Sequence, residues 1–155
     1  MIEHIKAEFK ISWHGIHGAN HWARVVHHGK TIGGVRQADL LVVELFGFLH
    51  DSCRLNDGRD PQHGQRAAEF AHAIHGQYFQ IKPMQLDQLC YAMQHHSGGQ
   101  TSTDATIQTC WDSDRLDLGR VGIMPSAQFL SQEAAIYIDM AFAWSREIKV
   151  QRESL

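Results

Sequence analysis

The run from Gln37 to Asp51 limits the choice of fold more than any other part of the chain. Leu40, Leu41, Val42, Val43, Leu45, Phe46, Phe48 and Leu49 make it apolar nearly all round. Its length exceeds that of a typical strand, so the pattern predicts a helix. A helix without a polar face has to be surrounded by other helices. The run then ends abruptly in His50-Asp51, with Arg54, Asp57, Arg59, Asp60 and His63 close behind. Such a junction is either a solvated loop or the rim of a site.

The remaining segments also read as helices. Trp22, Val25 and Val26 predict one from Ile16 to His28, closed by Gly29, with a turn at Gly33-Gly34. The first fifteen or so residues read as irregular or extended. Asn56-Asp57-Gly58 reads as a turn. Asp60 then fits an N-cap with Pro61 at the first helical position. Ala67, Ala68, Phe70, Ala71 and Ile74 give the next helix its inner face, and Gly76 ends it. A further helix spans Met84 to His96, with Leu86, Leu89, Cys90 and Met93 inward and Gly98-Gly99 stopping it. Another starts near Thr103, carries Ile107, Cys110 and Trp111, and continues its face through Leu118 and Val121. The last is expected from Ser126 to Lys149, with Phe129, Leu130, Ala134, Ile138, Ala141, Phe142 and Ile148 in its pattern. Trp22 and Trp111 follow apolar spacing and belong to the core; Trp144 packs the last helix. The expectation is an all-α, single-domain bundle of about six helices over residues 1–155.

With 155 residues the chain can bury a sizeable core. Its formal net charge of -3, without a basic stripe, argues against nucleic-acid binding. A small anionic substrate needs only a local basic patch. Cys53, Cys90 and Cys110 form no Cys-x-x-Cys pair, which disfavours a structural zinc knuckle and fits a reduced compartment. Met1 to Lys6 lacks a basic region followed by an apolar core, and no apolar run reaches membrane-spanning length. A cytoplasmic protein that makes no membrane contact is expected, with homo-oligomerisation left open.

Histidine is the unusual component, at 12 residues. Helical spacing sorts the polar residues that share inner faces. Asp114 falls seven residues after Ile107, four after Cys110 and four before Leu118, which puts its carboxylate on the apolar face and turns Asp112 away. A buried carboxylate needs a partner, either an arginine such as Arg115 or Arg24, or a metal. His96 leans inward with Leu89 and Met93, while His95 leans outward. His21 shares a face with Val25 and His28. His21, His50, Asp51 and Asp114 thus come from three helices, and two imidazoles with two carboxylates suit a divalent ion of intermediate hardness. His14, His17, His27, His28, His72 and His75 read as surface or helix-end residues, with His17 placed to line a pocket mouth.

These residues resemble the HD-domain superfamily, named for a His…His-Asp…Asp metal motif on an all-α core. The resemblance rests on His21 in "GANHWARVV", His50-Asp51 in "LFGFLHDSC" and Asp114 in "CWDSDRLDLGRVG", and covers residues 16–122, the segment after 126 packing against that core. It implies a metal-dependent phosphohydrolase acting on a small phosphorylated molecule or nucleotide. His21, His50, Asp51 and Asp114 would hold the metal, with Mn, Ni, Co, Mg, Fe and Zn not distinguished. Arg54, Arg59 and Arg115 would hold phosphate, since guanidinium matches its geometry. Asp57 would accept a proton or orient a neighbour, and Asp51 and Arg54 would join it in catalysis.

Two departures narrow the resemblance. Several nucleotide-cleaving members carry a glutamate three residues after the His-Asp aspartate, where this chain has Arg54. His63 and His96 would complete the fuller histidine series of members that bind a second metal. Some of those are cyclic-dinucleotide phosphodiesterases with a Gly-Tyr-Pro signature; here His95-His96 leads into Ser97-Gly98-Gly99 instead. The alternatives are therefore a di-iron oxygenase using His63 and His96, and a non-catalytic nucleotide-binding module.

Overall fold

A computed structural model describes the chain through residue 153, and its side chains through 147. It is all-α, with no strand among the described residues. The helices are α1 (Ile2–Glu8), α2 (Ala19–Arg36), α3 (Leu40–Leu49), α4 (His63–Ile74), α5 (Pro83–His95), α6 (Ala105–Leu116), α7 (Gln132–Ala135) and α8 (Ile138–Glu153). Two 3-10 segments, Asp117–Val121 and Ala127–Phe129, lie between α6 and α7. Ile148 lies outside the described side chains.

The apolar run forms the central helix as expected. Asp39 caps α3 by accepting hydrogen bonds from the backbone N–H groups of Leu41 and Val42. α3 packs against α2, α5 and α6, and Val42, Val43, Phe46 and Leu49 are wholly buried. Leu40 and Leu41, at its start, are exposed. Trp22 and Trp111 join the same core, and Trp111 Nε1 donates to the Ala92 carbonyl, fixing α6 on α5.

Several boundaries differ from the sequence expectation, each for a packing reason. The first fifteen residues include a helix, α1, whose Ile5 is buried in the main core. α2 runs through Gly29 and through Gly33-Gly34, and turns only at Gln37, which adopts a left-handed conformation at φ 57°. Gly29 is not a stop but a contact point: a Cβ there would lie 2.4 Å from Val43 Cγ1. The helical cost of glycine, about 1 kcal/mol against alanine, is offset by the close crossing of α2 and α3. Asp60 does not cap α4. Its carboxylate accepts from Leu55 N and from Arg66, and so folds the connecting loop, while the helix begins at His63.

The long final helix is broken into three pieces. Asp112 on α6 accepts from both the backbone N–H and the hydroxyl of Ser131. The Phe129 carbonyl accepts from Gln108 and Arg115. Side chains of α6 thus take backbone groups that a continuous helix would pair internally. Asp112 does face away from Asp114, yet it is fully buried. Beyond this break, Leu116, Ile32, Ala134 and Ala141 make a second, smaller core.

Candidate metal centre

His21, near the start of α2, His50 at the end of α3, and Asp114 in the last turn of α6 converge at the middle of the bundle. Their ligand atoms lie within 4.8 Å of one another, and so do those of His50, Asp51 and His96. His21 Nε2 stands 3.1 Å from His50 Nε2. Asp51 Oδ2 is 3.5 Å from each of them, and Asp114 Oδ1 is 3.4 and 3.6 Å away. On the other side of Asp51, His63 Nε2 and His96 Nε2 face each other at 2.8 Å. Asp51 Oδ1 lies 3.3 Å from the first and 3.7 Å from the second. One carboxylate therefore separates two imidazole pairs.

The outer nitrogens explain why the inner ones point inward. Nδ1 of His50, His63 and His96 meets the backbone carbonyl of Phe46, Asp60 and Met93 respectively, and Nδ1 of His21 meets Asp117 Oδ2 at 2.6 Å. These partners only accept, so each Nδ1 carries a proton, and each ring in its neutral form presents an Nε2 lone pair to the centre. Two facing lone pairs at such distances repel unless a cation lies between or beside them. Asp114 Oδ1 is buried and has no hydrogen-bond partner. The donor set fits a divalent metal bound by imidazole and carboxylate.

Proton affinities follow the same division. Burial and Arg120 pull His21 down, but Asp114, Asp117 and Asp51 outweigh both and raise it to about 9. Its partner His50 is lowered by burial. In the second pair, burial opposes the charged form of His96, but Asp51 and Asp114 raise it. Burial, then the charge of His96, lowers His63 to about 4. Burial opposes ionisation of Asp51 and Asp114, yet the surrounding histidines hold both well below the usual carboxylate range. Each pair is built to take one positive charge.

Gly64 makes the second pair possible. A Cβ on it would lie 2.2 Å from the Met93 carbonyl oxygen, the same oxygen that accepts from His96 Nδ1. α4 and α5 thus approach closely at the point where His63 and His96 meet.

A cavity of about 350 Å³ opens beside the cluster. Asp51, His96 and Asp114 reach it from the centre, and Arg54, Arg115 and Arg120 line it. Arg54 donates from Nε to Asp51 and from Nη1 to the carbonyls of Asn56 and Gly58. Arg115 is more committed than its sequence position implied, since its two terminal nitrogens donate to the carbonyls of Phe129 and Gln100. Arg59 is exposed and stands outside this lining. Asp57 is exposed as well, and its Oδ1 pairs with Nδ1 of the buried His17 at 2.9 Å. His17 is among the cavity's lining residues, and both it and His28 are buried rather than superficial.

Two site residues escaped the sequence reading. Asp117 is wholly buried, holds His21 and accepts two hydrogen bonds from Arg24. Arg120 donates to the carbonyls of Ile16 and Asp117, and its Nη2 lies 3.8 Å from Asp114 Oδ1. The available signal was the three-residue spacing of Asp114, Asp117 and Arg120. In a 3-10 segment, residues three apart stack on one side.

No protein-family model matches the chain, and no curated protein matches its sequence significantly. Among solved structures, it is similar to the crystal structure of a predicted HD superfamily hydrolase from an uncultured Thermotogales bacterium. The two are 22% identical with a TM-score of 0.70, over 97% of this chain and 87% of the other. The fold is that of the HD domain, as the sequence motif implied. Among the described residues, no helix is long and apolar enough to cross a membrane.

Proposed function

We propose that the protein is a metal-dependent phosphohydrolase acting on a small phosphorylated substrate. The observation that carries this reading is the convergence of two inward-facing imidazole pairs on Asp51, beside a cavity lined by three arginines. His21, His50, Asp51 and Asp114 would hold one divalent ion, and His63, His96 and Asp51 a second. When bound, such ions supply Lewis acidity toward a phosphoryl oxygen and a nucleophile from water near neutral pH.

The chain's own residues bind and orient. Arg54 is held by Asp51 and the loop carbonyls, and its remaining terminal nitrogen is left for a phosphate oxygen. Arg120 is aimed toward Asp114 by two backbone carbonyls and supplies a second guanidinium. Arg115, tied to carbonyls, adds charge to the wall. Asp57 holds His17 Nδ1, so that Nε2 is left for a substrate oxygen. The test is phosphate release from a panel of phosphate esters by protein loaded with Mn, Ni, Co, Mg, Fe or Zn in turn. Turnover that disappears in Asp51→Ala, with helicity retained, supports the reading. No metal-dependent release across the panel overturns it.

A second reading, a di-iron oxygenase, rests on the His63–His96 pair. Two irons per chain, with oxygen consumption and no phosphate release, would select it.

A further inference from the structure

The cavity beside the histidine cluster has two unlike sides. Toward the cluster it is charged, with Arg54 and Arg120 nearest the carboxylates. The lining also includes three apolar side chains, Leu118, Val121 and Phe129, which make an apolar wall. That wall is fixed by the backbone. The Phe129 carbonyl is held by Gln108 and Arg115, and Ile123 N donates to the Leu118 carbonyl. The apolar character continues along the chain beyond the wall, because Ile123 and Met124 are exposed.

Among the described residues that line the cavity, Ser97 supplies the only uncharged hydroxyl or amide side chain. A sugar placed against this wall would gain no side-chain hydrogen bond from Leu118, Val121 or Phe129, whereas an apolar group would cover their exposed surface. The volume of about 350 Å³ is at the small end for ligand sites, enough for a phosphate and one ring or short chain.

Resting on the phosphohydrolase reading, we propose that the substrate is a monophosphate ester of an apolar or aromatic alcohol. Its phosphate sits between Arg54 and Arg120, and its organic group lies on Phe129, Leu118 and Val121. Hydrolysis breaks the bond between phosphorus and the ester oxygen; water supplies one oxygen to phosphate and one proton to the released alcohol.

The test uses the metal-loaded full chain and substrates with primary alkoxide leaving groups, so that intrinsic reactivity is matched. Benzyl and hexyl phosphate are compared with ribose 5-phosphate, glucose 6-phosphate and ATP. The expected kcat/KM is higher for the apolar esters by about tenfold or more. Phe129→Ala, and independently Val121→Ser, should each reduce the ratio of kcat/KM for benzyl phosphate over ribose 5-phosphate, the former by about tenfold. Both side chains are over a third exposed, so the fold should tolerate the changes. Sugar phosphates or ATP turned over as well as the apolar esters, or ratios unchanged in both variants, overturn the proposal while leaving the phosphohydrolase reading intact. No release from any substrate by loaded protein overturns both.

Discussion

His63 Nε2 and His96 Nε2 face each other at 2.8 Å, although 33 residues separate them and each ring is held from behind by a backbone carbonyl. Neither nitrogen has a proton to offer in the neutral ring, so the contact is stable only around a positive charge. The first pair, His21 and His50, repeats the arrangement at 3.1 Å on the other side of Asp51.

Metal stoichiometry should divide accordingly. Elemental analysis of protein purified without a histidine tag is expected to give two metals per chain. His96→Ala should lose one, His21→Ala the other, and Asp51→Ala both. A single metal that survives His96→Ala would show that the second pair serves another purpose.

Metal binding should compete with protons. The surrounding carboxylates raise His21 to about 9, so loading near pH 7 must displace its proton; Asp51 and Asp114 shift His96 in the same direction. Apparent affinity should rise as pH climbs from 7 to 9, by up to about tenfold per unit for each proton released. Competition against a chromophoric chelator reads this directly. A flat profile would contradict the raised affinity of His21.

Asp117→Asn should weaken the first site without removing a ligand. Asp117 holds His21 Nδ1 and neutralises Arg24 in the interior. Loss of such a support costs about 10- to 100-fold in metal affinity. Leaving Arg24 with a neutral partner should also lower stability, by an amount approaching the roughly 3–5 kcal/mol of a broken buried pair. Chelator competition and chemical denaturation measure the two effects separately.

Gly64→Ala should act mainly on the second pair. The added methyl must displace the Met93 carbonyl, and with it the support of His96. An overpacking cost of about 1–3 kcal/mol is expected. The metal held by His63 and His96 should be lost before the one held by His21 and His50. Equal loss of both would mean that the two sites are not separable in this way.

Acid stability should depend on His28. This ring is buried between α2 and α8 beside Trp144, its Nε2 lacks a partner, and burial lowers it to about 4. Unfolded, it takes up a proton near pH 6.5; folded, only near pH 4. Between these values the unfolded chain binds more protons, so stability falls as the pH drops. The total is roughly 3 kcal/mol. In His28→Leu, denaturation midpoints measured at pH 6.5 and 4.5 should differ less than in the parent protein. An identical loss would assign the acid sensitivity to other groups.

The helical class was legible in the sequence because it depends on short-range spacing, and so was the grouping of His21, His50, Asp51 and Asp114 toward the interior. The apolar run of α3 was too long for a typical strand and so read as a central helix, with His50-Asp51 at its end. The seven- and four-residue intervals around Asp114 put its carboxylate on the inner face, where the structure has it. Glycine was less informative. Gly29 and Gly33 are helix breakers by propensity, but α2 continues through them, and Val43 and Leu40 of α3 pack against the surface they leave bare.

Other features depend on contacts between distant parts of the chain. The last helix is broken because Asp112, Gln108 and Arg115 take its backbone groups, and no local pattern shows that competition. Arg54, Arg59 and Arg115 were equivalent by composition; tertiary structure ties the first to Asp51, leaves the second in solvent and commits the third to carbonyls. Periodicity decides which way a side chain faces, so the inward histidines and carboxylates, and the helices that carry them, can be read from the sequence. That His63 and His96 meet as a pair across Asp51 follows from tertiary packing, because it depends on how closely α4 and α5 approach at Gly64.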